Sequence, residues 1–246
     1  MANGFDPRAT ARPQPGVAGV GRASVAYDAG LRSYMLSVYN YMASGVLLTG
    51  IVALLFANSG MAAQVLMGPG IMKYLIMFAP LAFVMVLSFG ITRLSTGTAQ
   101  LLYWLFAVVM GLSLSSIFLV FTGESIAQTF FATAAAFLGL SLWGYTTKKD
   151  LSGFGTFLIM GVIGLIVASL INLFLQSAAL HWAVSFIGVL LFAGLTAYDT
   201  QRIKSLYFHV AGTDMMGKTA IMGALSLYLD FVNMFTFLLQ FMGNRE

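Results

Sequence analysis

The stretch TAIMGALSLYLDFVNMFTFLLQFM, residues 219–242, holds one charged side chain, Asp230, among 24 residues. A helix of that length extends ~36 Å at ~1.5 Å per residue, enough to cross a hydrocarbon core of ~30 Å. An acid near the middle of such a segment costs ~2.5–3.5 kcal/mol on insertion scales. It therefore calls for protein around it rather than lipid. Ser226, Asn233 and Gln240 recur with Asp230 at helical spacings, and this polar stripe is expected to face the interior of a bundle.

Six further apolar runs precede this one, at 35–57, 72–92, 98–121, 126–147, 154–175 and 180–201, and all seven are 21 to 24 residues long. Spanning strands need only about ten alternating residues, so length excludes a barrel. Hydrophobic residues make up 59% of the 246 and charged residues 8%, too few to solvate a globule of this size. The fold class read from these features is an all-α membrane protein with seven transmembrane helices. Residues 1–31 contain Pro7, Pro13 and Pro15 with scattered Gly and Arg and no signal-peptide core. They read as a disordered cytoplasmic tail before a transmembrane domain at 32–246.

Orientation follows from the basic residues when the runs alternate in direction. Arg8, Arg12, Arg22, Arg32, Arg93, Lys148, Lys149, Arg202, Lys204 and Lys218 fall on one side, and only Lys73 and Arg245 on the other. The positive-inside rule places the N-terminus in the cytoplasm and the C-terminus outside. The net charge of +4 is spread between the runs, which argues against nucleic acid as a partner. Cys is absent, removing disulfides, thiolate metal sites and Cys nucleophiles together. Small residues four apart, Gly111/Ser115, Ala132/Ala136 and Ala193/Ala197, are expected to let helices approach closely.

A second acid, Asp199, lies near the cytoplasmic end of the sixth run in Ala197-Tyr198-Asp199-Thr200-Gln201-Arg202. Arg202, three residues on, offers an interfacial ion pair as its simplest explanation. Arg93 sits at the same membrane level and is within reach, although a lone Arg there is usually a snorkelling anchor. For Asp230 the simplest explanation is an interhelical hydrogen-bond cluster. If the two acids meet, they cannot both ionise cheaply in one desolvated site, and the pair would hold a proton between them. Its loss would create a hard oxygen site suited to a cation such as Ca²⁺. The depths disagree, however. Counted from the flanking charges, Asp199 lies ~5 Å and Asp230 ~18 Å from the cytoplasmic boundary, so the seventh helix must begin well before residue 219 or water must enter the bundle.

Three catalytic or nucleotide readings fail on their parts. Gly212 to Thr219 fits the P-loop pattern, but that motif works between a strand and a helix of an α/β domain, and no room for one exists here. No nucleotide is expected. Tyr198-Asp199 with Asp230 suggests an intramembrane aspartyl protease, yet the expected Gly-x-Gly-Asp reads Leu227-Tyr228-Leu229-Asp230. His181 and His209, each near a boundary, are too few for zinc or Ser-His chemistry.

Five stretches together resemble the Bax inhibitor-1 family, also called the transmembrane Bax inhibitor motif family, and most closely its bacterial members. They are residues 38–42 (VYNYM), 111–116 (GLSLSS), 144–152 (GYTTKKDLS), 197–204 (AYDTQRIK) and 224–233 (ALSLYLDFVN). The resemblance implies six helices around a central seventh in a bacterial inner (plasma) membrane, leaking Ca²⁺ down its gradient in a pH-dependent manner. It implies that Asp199 and Asp230 form the pH-sensing pair, with Arg93 the best match by position for an arginine latch. No cofactor is expected; Ca²⁺ is the transported ion. A second reading is a non-transporting regulator that partners a membrane-embedded quality-control protease, as some relatives are thought to be. Aspartyl proteolysis is the remote third, so an enzyme is not expected.

Overall fold

The computed structural model describes residues 17–245, and their side chains from residue 29 onward. Among the described residues the chain forms α1 (Val17–Asn58), α2 (Met61–Leu66), α3 (Met72–Gly90), α4 (Thr96–Leu114), α5 (Gly123–Thr146), α6 (Ser152–Leu175), α7 (Ala178–Val210) and α8 (Met215–Met242). A 3-10 turn, Ser115–Leu119, extends α4. All but α2 are long and apolar enough to cross a membrane, which makes seven candidate spans. The chain is thus an all-α membrane protein, as its hydropathy requires.

Two boundaries differ from the sequence reading. Helix α1 begins at Val17, so only residues 1–16 of the tail expected at 1–31 lie outside the described residues. Pro13 and Pro15 precede that start and no proline follows until Pro69, which leaves nothing to interrupt the helix on its way into the first span. Helix α7 continues to Val210, nine residues past the predicted end at 201. Its added turns carry Arg202, Lys204 and His209 out of the apolar zone, while His181 lies in the first turn.

Hydroxyl caps set several helix starts. Ser95, Thr122 and Ser177 accept from the backbone N–H groups of Thr98, Ser125 and Leu180, which begin α4, α5 and α7. At the start of α5 the segment after α8 is held in place. Thr122 N–H donates to Asn244 O at 3.1 Å, and Asn244 N–H donates to the Ser125 hydroxyl at 2.9 Å.

Helix α8 is the most enclosed span: 61% of its most apolar 18-residue window is buried, against 11–33% for the other six. Its principal neighbours are α1, α4, α5 and α7, while α3 packs on α4 and α6 on α7. The central position is therefore real, but its wall consists of four helices; the full ring of six that the resemblance implied is not shown. Tyr103, Phe106 and Tyr228 form the aromatic heart, with Phe106 and Tyr228 edge to face at 5.0 Å between centroids. Large side chains such as Leu47, Phe131, Leu138 and Phe174 stay exposed, the surface that suits lipid.

Close backbone approach is confirmed at two of the three small-residue pairs. A Cβ on Gly111 would stand 2.7 Å from Val52 Cβ and 2.8 Å from Thr49 O, so α1 and α4 touch there. Ala197 meets Gly144 of α5. Ala132 and Ala136 are exposed and bring nothing close, because α5 turns its Thr129, Thr133 and Phe137 face inward instead.

Candidate functional site

Helices α7 and α8 are antiparallel neighbours joined by the turn Ala211–Asp214, in which Gly212 takes a positive φ of 75° that other residues rarely adopt. Asp199 lies 11 residues before Val210 and Asp230 lies 15 after Met215, so their heights above that turn are ~16 and ~22 Å, about one helical turn apart. The disagreement in depth thus resolves in the way the sequence required. Helix α8 starts four residues before 219, and α7 runs nine residues past 201 on its own side.

Both acids are buried, Asp199 at 8% and Asp230 at 5% exposure. Asp230 Oδ2 has no hydrogen-bond partner. On the adjacent helix α7, Asp199 stands about one helical turn from its level. Asp199 in turn faces Arg202, whose Nη1 lies 3.8 Å from Oδ1 with the guanidinium side chain 56% exposed. This is the ion pair the i,i+3 spacing offered. Arg93 is different: it is exposed on the turn after α3 and makes no ion pair among the described residues. Among the described residues the cation paired with Asp199 is Arg202.

The polar stripe of α8 does not form the interior face. Asp230 is buried, but Ser226, Asn233 and Gln240 are only half-buried, and Asn233 Nδ2 donates to Leu229 O of its own helix at 2.8 Å. A helix enclosed on most sides hides apolar residues as fully as polar ones, so polarity alone does not mark its inner face. The deepest polar contact on α8 belongs instead to Tyr228. Its hydroxyl lies 2.6 Å from Thr49 Oγ1, which donates to Ala107 O at 2.8 Å and ties α8 to α1 and α4.

The segment that carries Asp199 is held from two sides. A Cβ on Gly144 of α5 would run into Ala197 O, and one on Gly155 of α6 would run into the Tyr198 ring. Thr200 donates to Thr196 O at 2.8 Å and lies 3.0 Å from the Ser141 hydroxyl of α5. Gln201 locks the α5–α6 loop by donating Nε2 to Lys149 O at 2.8 Å and accepting from Leu151 N–H at 2.9 Å. Lys204 Nζ donates to Tyr145 O at 2.8 Å. The stretches 144–152 and 197–204, far apart in the chain, are thus one structural unit. Sequence reading singled out both stretches but not the contacts of Gln201 or Gly155, which depend on how α7 packs against the α5–α6 loop.

The family model described as "Inhibitor of apoptosis-promoting Bax1" matches residues 31–246, all of the membrane domain. The chain belongs to the Bax inhibitor-1 family. Inner membrane protein YbhL of Escherichia coli K12 is 49% identical over 220 residues, covering 89% of this chain and 94% of the relative. A Caulobacter vibrioides protein is 48% identical over 237 residues, 92% of this chain and 94% of its own. A Rickettsia prowazekii protein is 48% identical over 221 residues, 89% and 93% respectively. Similarity therefore runs through whole membrane domains of this family rather than through one motif.

Proposed function

We propose that the protein is a leak channel for cations, Ca²⁺ foremost, in a bacterial inner membrane, with Asp199 and Asp230 as its pH-sensitive gate and the basic end in the cytoplasm. The observation that carries this reading is Asp230 itself: a carboxylate in the most enclosed span, with an unpartnered oxygen and another carboxylate, Asp199, about one helical turn from its level on α7. Such a pair is satisfied when it shares one proton. When that proton leaves, two like charges remain in one desolvated site and repel each other, which favours an arrangement that separates them.

Among the described residues, the histidines on the helices around α8 are His181 and His209, 18 and 10 residues along α7 from Asp199. Buried hydroxyl groups include Tyr34 on α1, Tyr103 on α4, and Thr129, Thr133 and Ser141 on α5. Tyrosines ordinarily titrate near pH 10. Among the described residues Arg202 is the cation in an ion pair with Asp199, so in this reading it steadies the closed state. Ca²⁺ prefers six to eight oxygens, and no group of three or more His, Asp or Glu side chains gathers among the described residues. The pair therefore suits an ion in passage better than a resident one.

Flux decides the matter. In Ca²⁺-loaded vesicles the reconstituted protein is expected to leak faster as pH rises, and Asp199→Asn or Asp230→Asn to flatten that dependence. Unchanged pH-dependent flux in both variants removes the pair from the mechanism. No flux at any pH leaves the role of a non-transporting membrane regulator.

A further inference from the structure

The five residues 147–151 join two spans, so connectivity alone sets them at the membrane surface. A cleft of about 320 Å³ opens there, walled by Lys148, Lys149, Tyr198, Gln201 and Arg202. Three cations meet one acid on its rim, Asp150. That carboxyl is already engaged by hydrogen bonds from Ser152, which hold it below the ordinary carboxylate range. Lys148 and Lys149 are exposed and make no ion pair among the described residues. Their backbone is nonetheless fixed, since Gln201 clamps the loop at Lys149 and Leu151. Cations on an immobilised backbone form a preorganised anion site, with little ordering left to be done on binding.

The flanks of the cleft are apolar. Phe154 and Phe157 of α6 stack with centroids 5.8 Å apart and are both exposed, as is Trp143 in the last turn of α5. The other end of the bundle lacks this arrangement. There Lys73 lies over the Tyr74 ring and Arg245 over the Phe121 ring, each cation engaged locally. We propose that the cleft between the α5–α6 loop and α7 binds the phosphate of an anionic phospholipid headgroup, with the acyl chains lying along Phe154 and Phe157. Basic pockets between spans suit such headgroups, each Lys or Arg contributing about 1 kcal/mol. Arg202 is shared between this site and Asp199, so a bound phosphate competes with Asp199 for it; the importance of that competition rests on the gate proposed above.

The test is lipid binding by native mass spectrometry of the full chain in a neutral detergent, titrated with phosphatidylglycerol or phosphatidylcholine. Wild type is expected to retain phosphatidylglycerol in preference. Lys148→Ala/Lys149→Ala is expected to weaken that retention about 30-fold, two lysines at ~1 kcal/mol each. Lys73→Ala, at the opposite end, is expected to leave it unchanged. Lys148 and Lys149 are exposed and Lys73 is half-buried, and a circular-dichroism melt of each variant checks that it is folded. Equal retention in the double variant and wild type overturns the proposal, as does indifference between the two lipids. Inorganic phosphate distinguishes the sources of the anion. Displacement of the lipid by millimolar phosphate assigns the site to a soluble anion and overturns the lipid reading, whereas retention supports it. Because the readout is binding and not flux, its failure leaves the aspartate gate untouched, and the reverse holds too.

Discussion

Replacing Gly144 with alanine presses on the contact that positions Asp199. The added methyl would stand 2.9 Å from Ala197 Cα and 3.0 Å from its carbonyl carbon, and closer still to the carbonyl oxygen. Carbon atoms settle at about 3.5–4.0 Å, so the shortfall is ~0.5–1 Å against backbone, which no rotamer change relieves. Helices α5 and α7 must separate by that amount, at ~1–3 kcal/mol for overpacking. At about 2–4 °C per kcal/mol for a chain of this size, Tm in detergent or nanodiscs is expected to fall by ~2–12 °C. Gly155→Ala meets the Tyr198 ring, which can swing aside, and is expected to cost less. Gly139→Ala lies on the same helix as Gly144 with nothing within 4 Å and is expected to be neutral or stabilising, because alanine is the better helix former by up to ~1 kcal/mol. A Gly144→Ala melt within 1 °C or so of wild type, or a Gly139→Ala loss as large as that of Gly144→Ala, would refute the reasoning from close approach.

Other outcomes follow from single contacts. Tyr228→Phe removes one hydroxyl but leaves Thr49 bonded to Ala107 O, costing about 1 kcal/mol; Thr49→Val strands the buried Tyr228 hydroxyl and is expected to cost more, ~1–3 kcal/mol, an order that melting curves check. Asp150 is expected to make the start of α6 acid-sensitive. Its folded carboxyl titrates below the reference value of 3.8, so its contribution is present above that pH and is lost as pH falls through the lower folded value. The protection of Ser152 N–H, which donates to Asp150 Oδ1 at 2.9 Å, relative to intrinsic amide exchange should fall in that acid range, and Asp150→Asn should remove that fall; a protection factor that stays constant in wild type counts against it. Flattened pH dependence of Ca²⁺ leak in Asp230→Asn remains the direct check on the gate.

Much of the fold was legible because hydropathy is a local property. Each apolar run had to be a span wherever the others lay, and one acid in residues 219–242 marked that run as the enclosed one. Asp199 and Asp230 stood out for the same reason: each needs a partner that lipid cannot supply. The outcome was less direct where the answer depended on a neighbour. Ala132 and Ala136 have the spacing of a packing motif but face outward, since the hydroxyls of Thr129 and Thr133 took the inner face of α5. Arg93 matched a latch by membrane level, and the structure places it exposed on the turn after α3 with no ion pair among the described residues.

By itself the sequence determined seven crossings, an even-handed alternation of basic and neutral ends, and a seventh span unsuited to lipid. Length, hydropathy and charge sum along the chain without reference to contacts, and these features needed nothing more. Only the tertiary structure decided that Asp199 and Asp230 stand within about a helical turn of one level and that the α5–α6 loop is locked to α7 by Gln201. Those facts depend on how far α7 runs before the chain turns at Gly212 and on which backbones approach at Gly144 and Gly155. Register between packed helices is set by shape across the interface, and no local pattern in either helix encodes it.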